Sequence, residues 1–253
     1  MKTFAPYIVS ALILAGIFAL ARYLLGAELA PAPDAILAAL WKLARSGELF
    51  RELAITLLRG ACGILLANIA GVTLGIAAGL YAGSLRLVAP LVAALQACPP
   101  VVWITLVMVW AGTGSVVPVA TVFAATFPFV FSTAAQGVMG LDRRIAAMSR
   151  LYDVPKIRVL RHFVLPGVLP YWLAGFSGIL AAGWKAAAVA EFLGSHHGIG
   201  ARIFWSYRKL NMEELNAWAL TLILLGVALE CAVITPLRHK AAQLESKGSA
   251  NHA

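Results

Sequence analysis

Charge is scarce in this sequence. Only 12% of its 253 residues are Asp, Glu, Lys or Arg, against about a quarter in ordinary soluble domains. A water-facing surface of normal extent cannot be covered with so few, which excludes a soluble enzyme and a soluble nucleic-acid-binding module. Cysteine is almost missing: Cys62, Cys98 and Cys231 are scattered without C-x-x-C spacing, which excludes a disulfide framework or a zinc site. All three sit in apolar runs and are expected to be small packing residues. There is no Gly-x-x-x-x-Gly-Lys-Ser/Thr loop to cradle phosphates. No His-x-x-x-His or paired carboxylates at helical spacing point to a metal or hydrolytic centre. The one histidine pair, His196-His197, reads as solvated loop. With no histidine inside an apolar span, a haem- or quinone-ligating subunit of a membrane enzyme is disfavoured. No self-similarity between the halves is visible, which argues against an inverted-repeat, gradient-driven transporter.

What fills the chain is hydrocarbon. Hydrophobic residues make up 61% of it and the mean hydropathy is +0.86. Six membrane spans are expected, at about Phe4–Leu25, Ile55–Ala82, Leu87–Trp110, Val116–Val138, Gly167–Leu193 and Ala217–Leu237. The first run exceeds the roughly 7–15 apolar residues of a signal peptide and reads as a span. Open strands cannot cross lipid and these runs do not alternate, so the fold class is an all-α membrane protein. One transmembrane domain over 1–253 is expected: a first span in 1–27, an amphipathic extracytoplasmic segment in 28–53, core spans in 54–237 and a tail in 238–253.

Between the first two spans, Ile36, Leu40 and Leu43, then Leu49, Leu53 and Leu57, recur at helical spacing. Ser46-Gly47 breaks the pattern. An interfacial helix followed by one that bends into the membrane is expected. The net charge of +9 is concentrated in particular loops. More Lys and Arg fall in 139–166 and the C-terminal tail than in the opposite segments, so the positive-inside rule places both termini in the cytoplasm.

The longest cytoplasmic loop, 139–166, looks folded. Leu141, Ile145, Met148 and Tyr152 make one stripe of a short helix. Asp142 is placed to cap its start, while Arg143, Arg144 and Arg150 point elsewhere. Asp153 suits a left-handed turn, and Pro155 the first turn of a second helix. Leu165-Pro166 is expected to end that helix.

Within the spans, ionisable groups mark functional candidates. Arg59 opens the second span. Lys185 and Glu191 share the fifth span but point to different faces, so each needs its own partner. Trp184 and Lys185 are candidates to line a central path, with Lys185 favouring an anion; pairing with a neighbouring carboxylate for assembly is the alternative. Pro99-Pro100, followed by Trp103, breaks the third span and frees backbone groups, as happens beside a path or gate.

The sequence resembles the inner-membrane permeases of binding-protein-dependent ABC transporters. Their cytoplasmic signature is Glu-Ala-Ala, three residues, Gly, nine residues, Ile, one residue, Leu-Pro. Anchored on Leu165-Pro166, the isoleucine position is Phe163, the glycine Asp153, and the Glu-Ala-Ala positions Ala147, Met148 and Ser149. The spacing matches; the acid and the glycine do not. "PPVVWITLVMVWAGTGSVVPVATVFAATFPFV" (99–130) and "GWKAAAVAEFLGSHHGIGARI" (183–203) are similar to the nitrate/sulfonate/taurine/bicarbonate branch. The resemblance implies a type I ABC importer permease fold and a homodimeric pore. It implies two cytoplasmic ATPase subunits, which carry the ATP and magnesium, an extracytoplasmic solute-binding protein and a bacterial inner-membrane location. No cofactor is expected on this chain itself. Loop 139–166 becomes the ATPase-coupling loop. The cargo implied is a small anion, with a thiamine-precursor pyrimidine or aromatic compound as the alternative.

Overall fold

In the computed structural model the structure describes residues 22–24, 26 and 29–237. The expected first span, Phe4–Leu25, lies almost wholly outside the described residues, and the tail 238–253 entirely so. Among the described residues the regular elements are all helical. They are α1 (Pro33–Arg45), α2 (Glu48–Leu80), α3 (Ala82–Ala97), α4 (Pro100–Ala111), α5 (Val116–Met139) and α6 (Arg143–Leu151). Then come α7 (Lys156–Gly194), α8 (Ile199–Arg208) and α9 (Met212–Leu237). Helices α2, α5, α7 and α9 are each long and apolar enough to cross a membrane, and the bent pair α3–α4 makes a fifth crossing if taken together.

Ser46-Gly47 does break the chain between α1 and α2. Gly47 takes φ +75°, open to glycine, and the Ser46 hydroxyl donates to the Leu43 carbonyl at 3.0 Å. After that break α2 runs 33 residues without interruption. The expected boundary at residue 54 therefore falls inside a continuous helix. At about 1.5 Å per residue, α2 is about 50 Å long, more than the roughly 30 Å of bilayer hydrocarbon. Helix α1 does not simply rest on lipid. Its Leu43 packs with Ile199, Ala217, Trp218 and Leu225 of α8 and α9, and Ile36 and Leu40 press on the same cluster.

Helix α5 is the central post. Its Val122 and Val130 are fully buried against Ile64 of α2 and Ile179 and Ala187 of α7. The α2–α5 contact is backbone-close because α2 presents glycine there. A Cβ on Gly71 would stand 2.7 Å from the Val130 Cβ, and one on Gly75 2.6 Å from the Phe131 carbonyl. Small residues let helices approach this way where lipid supplies no hydrophobic drive.

The third span is not one rod. The chain turns by 93° between α3 and α4. Pro99 is extended (φ −60°, ψ 143°) and Pro100 opens α4. Neither proline can donate to the preceding turn, and each disfavours helix at the residue before it, so a straight passage is not available.

Leu165-Pro166 does not end the helix that precedes it. The backbone passes through a π turn, Leu160–Val164, and continues into the membrane as part of α7. Leu165 N–H donates to the Leu160 carbonyl, five residues back. The same device recurs in α9, where Thr235 N–H donates to Glu230 just before Pro236. Widening the turn by one residue moves the carbonyl that the proline ring would strike, so the helix continues although the proline itself has no N–H to donate.

The cysteines are not core residues. Cys62 and Cys231 are exposed on the single chain and Cys98 is half-buried. The faces carrying Cys62 and Cys231 look outward from this chain, where apolar side chains also stand unburied, Leu58, Leu65 and Ile69 among them.

Candidate functional site

The densest polar chemistry lies where the start of α2 meets the end of α7. Glu52, Thr56 and Arg59 recur at i, i+4 and i+7, one face of α2. Glu52 is fully buried. Its Oε1 accepts from Arg202 Nη2 at 2.7 Å and Arg51 Nη2 at 2.8 Å, and its Oε2 from Gly198 N at 2.6 Å. Glu191, also fully buried, sits one turn from the end of α7. Arg59 Nη1 donates to its Oε1 at 3.0 Å and the Thr56 hydroxyl to its Oε2 at 2.7 Å. Arg59 further donates to the His197 carbonyl at 2.6 Å and to Ser115 Oγ at 2.8 Å. Arg202 also pairs with Glu48 at 3.0 Å.

The chain between α7 and α8 is shaped to this cluster. Gly198 has φ +102°, and a Cβ on it would fall on the Glu191 carboxylate. Ile199 N donates to Thr56 Oγ1 at 2.9 Å. The two carboxylates thus take up amides at the start of α8, where helical N–H groups have no partner of their own and negative charge is favoured. The α4–α5 loop joins in through Gly114 N to the Gly194 carbonyl at 2.9 Å and through Thr113 Oγ1 and His196 Nε2 at 3.1 Å. The side chains of His196 and His197 are exposed, as the sequence suggests, while the backbone beneath them is part of the cluster.

At the other end of α7 lies the charged loop. Asp142 Oδ1 accepts from Arg144 N at 2.8 Å, which caps α6. Asp153 makes the turn with φ 47°, and Val154 N donates to the Ser149 carbonyl at 2.9 Å. Pro155 then precedes the first turn of α7. The apolar stripe of α6 is uncovered. Ile145, Met148 and Tyr152 are exposed, with Ala147 beside them, while Leu141 alone turns inward beneath Gly167. The side chains of Arg143 and Arg150 lie outside the described ones.

The remaining candidates are spread along the membrane-spanning part. Pro99 and Pro100 form the corner. Trp103, on α4, is half-buried, and its indole Nε1 is enclosed with no hydrogen-bond partner among the described residues. Trp184 is half-buried and packs over Gly226 of α9. Lys185 is exposed, its ammonium 5.9 Å from the Trp184 ring centre. It shares an exposed stripe of α7 with Ala174, Gly178 and Ala182, and a Cβ on Gly178 would meet open space. Lys185 and Glu191 do face apart. Glu191 and Arg59 join each other at the α2–α7 junction rather than joining Lys185 or Trp103.

Sequence reasoning overlooked Glu52, Thr56, Ser115, Gly198 and Arg202. The signal was three polar residues on one face of an otherwise apolar helix, together with Gly-Ile-Gly straight after a span.

Long apolar helices, with a buried ionic junction at one end of α7 and a folded basic loop at the other, define a multi-pass membrane protein. Residues 71–235 match the family of binding-protein-dependent transport system inner membrane components, and the chain belongs to that family. It is 30% identical over 75% of its length, and 70% of the relative's, to the putative aliphatic sulfonates transport permease SsuC of Escherichia coli. It is 28% identical to the taurine transport permease TauC of E. coli, over 67% of this chain and 64% of that one. It is 26% identical to the nitrate import permease NrtB of Leptolyngbya laminosa, over 73% and 66%. The chain therefore sits on the sulfonate/taurine/nitrate/bicarbonate branch and is a transport component, not an enzyme. Its backbone is similar to a chain of an inward-facing MetNI methionine ABC transporter structure, with TM-score 0.60 and 18% identity, over 79% of this chain and 96% of that one. This gives the fold as that of a type I ABC importer permease.

Proposed function

We propose that two copies of this chain form the translocation path of an importer for a small oxyanion of the sulfonate, taurine, nitrate or bicarbonate kind. The observation that carries the cargo class is Lys185. A cation exposed on a membrane-spanning helix is costly against lipid, and the turns before it on its stripe carry Ala174, Gly178 and Ala182, with Tyr171 and Val189 at the two ends, where the outer face of α2 carries leucines. Such a face suits a water-filled path shared with a second copy. Trp184, Trp103 and the Pro99-Pro100 corner border that path in this reading, and Arg59 and Glu191 stand behind its outer end.

Two cytoplasmic ATPase subunits holding ATP and magnesium dock on 139–166. The exposed Ile145, Met148 and Tyr152 enter a groove on the ATPase, with Asp142, Arg143, Arg144, Ala147, Ser149 and Arg150 around them. Asp153 sets the turn between the helices, and Leu165-Pro166 sets the direction in which α7 leaves. A solute-binding protein delivers cargo to the outer surface built from 28–53 and 193–215. The chain resides in a bacterial inner membrane with both termini cytoplasmic.

The test is to co-express the chain with the ATPase and binding protein encoded beside it, reconstitute the complex in liposomes, and measure hydrolysis and uptake. Stimulation by a binding protein loaded with one oxyanion supports the reading. Stimulation only by a pyrimidine or aromatic cargo replaces the cargo class. Uptake without an ATPase, following a proton or sodium gradient, overturns it in favour of a secondary transporter.

A further inference from the structure

We propose that Glu52, Arg59, Glu191 and Arg202 are positioning residues that lock one end of α7, so that the movement of the transport cycle is confined to a joint at its other end. The inference rests on the importer reading above. It joins two observations made on a single continuous helix.

The first is the density of bonds at the junction with α2. Glu191 on α7 and Glu52 on α2 are fully buried, and each is held by an arginine. Amides of Gly198 and Gly200 reach these two carboxylates, and that of Ile199 reaches Thr56 between them. Arg59 ties in the 195–198 loop and the Ser115 end of α5. Five segments therefore meet around two carboxylates that are fully buried and have no water to fall back on. Separating α2 from α7 or from α8 would strand a buried carboxylate, which is the most unfavourable way to break such a pair. The outer ends of α2, α5 and α7, with α8, are bound to move as one block.

The second observation is the contrasting condition near the start of the same helix, where the contacts are apolar and not ionic. Leu160–Val164 is a π turn, Pro166 follows it, and Pro170 lies one turn further on. Each proline removes one rung from the helix ladder. Around the joint, Arg161, His162, Leu165, Pro166 and Leu169 are exposed. Sharp bends and local opening in helices concentrate at such features. Force arriving through α6 and the first turn of α7 would be taken up there, by a change of angle between the docked loop and the spans, while the far end keeps its shape for the binding protein.

Hydrogen exchange on the chain alone in lipid nanodiscs tests the lock without any partner. Amides of 195–202 should exchange at least tenfold more slowly than those of 157–166. Glu191→Gln, which keeps the side chain's shape, should raise exchange at 195–202 tenfold and leave 157–166 unmoved. Equal exchange at the two ends, or no response to Glu191→Gln, overturns the proposal.

The joint is tested in the reconstituted transporter, in a chain with Cys62, Cys98 and Cys231 replaced by alanine. Thr113→Cys and His196→Cys, joined by a short thiol crosslinker, should leave ATP hydrolysis by the complex, measured without binding protein, within twofold of the uncrosslinked sample. A tenfold loss restored by cleaving the crosslinker would show that this end opens, and the proposal fails. Pro166→Ala with Pro170→Ala should cut uptake tenfold while the ATPase still co-purifies; unchanged uptake overturns the joint. Absence of uptake in every sample, with the exchange contrast present, supports the lock and counts against the importer reading instead.

Discussion

Arg59 and Glu191 are 132 positions apart in the chain and 3.0 Å apart in the fold, Nη1 to Oε1, with both side chains shut away from solvent. Truncating one of them should therefore hurt more than removing both. Glu191→Ala leaves the guanidinium uncompensated, an effect of about 3–5 kcal/mol for a buried pair. Arg59→Met combined with Glu191→Leu should be less destabilising than either single truncation. Thermal unfolding of the purified chain in detergent, followed by loss of the monodisperse peak, measures both. A double variant worse than each single one would refute the pairing as the source of the loss.

Asp153 holds φ 47° where the family signature has glycine. The left-handed region costs a side-chain-bearing residue about 1–2 kcal/mol, and Asp bears it better than most. Asp153→Gly should keep ATPase co-purification at the parental level or raise it. Asp153→Val, β-branched, should lower it severalfold. Pull-down stoichiometry at fixed expression decides between them.

Gly71 is packed so tightly on Val130 that a methyl group has no room. Gly71→Ala should cost about 1–3 kcal/mol by overpacking, and Gly71→Leu should abolish recovery of folded protein. Gly178, whose Cβ position is open, serves as the control: Gly178→Ala should leave the melting temperature of the chain alone unchanged.

Lys185 carries the cargo prediction. Lys185→Gln should reduce oxyanion uptake by tenfold or more while ATPase co-purification is retained, and Lys185→Arg should restore a substantial part. Equal uptake by the lysine and glutamine proteins would remove the anion argument.

Much of loop 139–166 was legible in advance because its determinants are local. An Asp at a helix start and an Asp at a turn act within a few residues, and Asp142 and Asp153 stand where that chemistry puts them; Pro155 stands one residue before the helix it was expected to open. Ser46-Gly47 broke the chain for the same reason. The span cores were legible from hydropathy. The ionic junction was not, because Glu52, Arg59, Glu191 and Arg202 find each other only through helix packing, and hydropathy carries no information on which faces meet. Pro166 was misread because a proline forbids an ordinary α turn but not a wider one. The cysteines were misread because an apolar neighbourhood in sequence does not distinguish the interior of this chain from the face it turns to lipid or to another subunit. Pro99-Pro100 announced a break, but nothing in the sequence gave its angle.

That angle bears on the lipid around it. A 16-residue leg and a 12-residue leg measure about 24 Å and about 18 Å along their axes. Neither alone matches the roughly 30 Å of bilayer hydrocarbon. Set at 93° to one another, the legs cannot add their full lengths along the membrane normal, and together they reach at most about 30 Å in any one direction. At this corner the chain has no hydrophobic length to spare: any orientation other than the one of greatest reach leaves a deficit, to be met by locally thinned lipid or by another subunit standing in its place. Membrane thickness thereby becomes a variable of this protein: longer acyl chains should bear on the α3–α4 corner before they bear on any straight span.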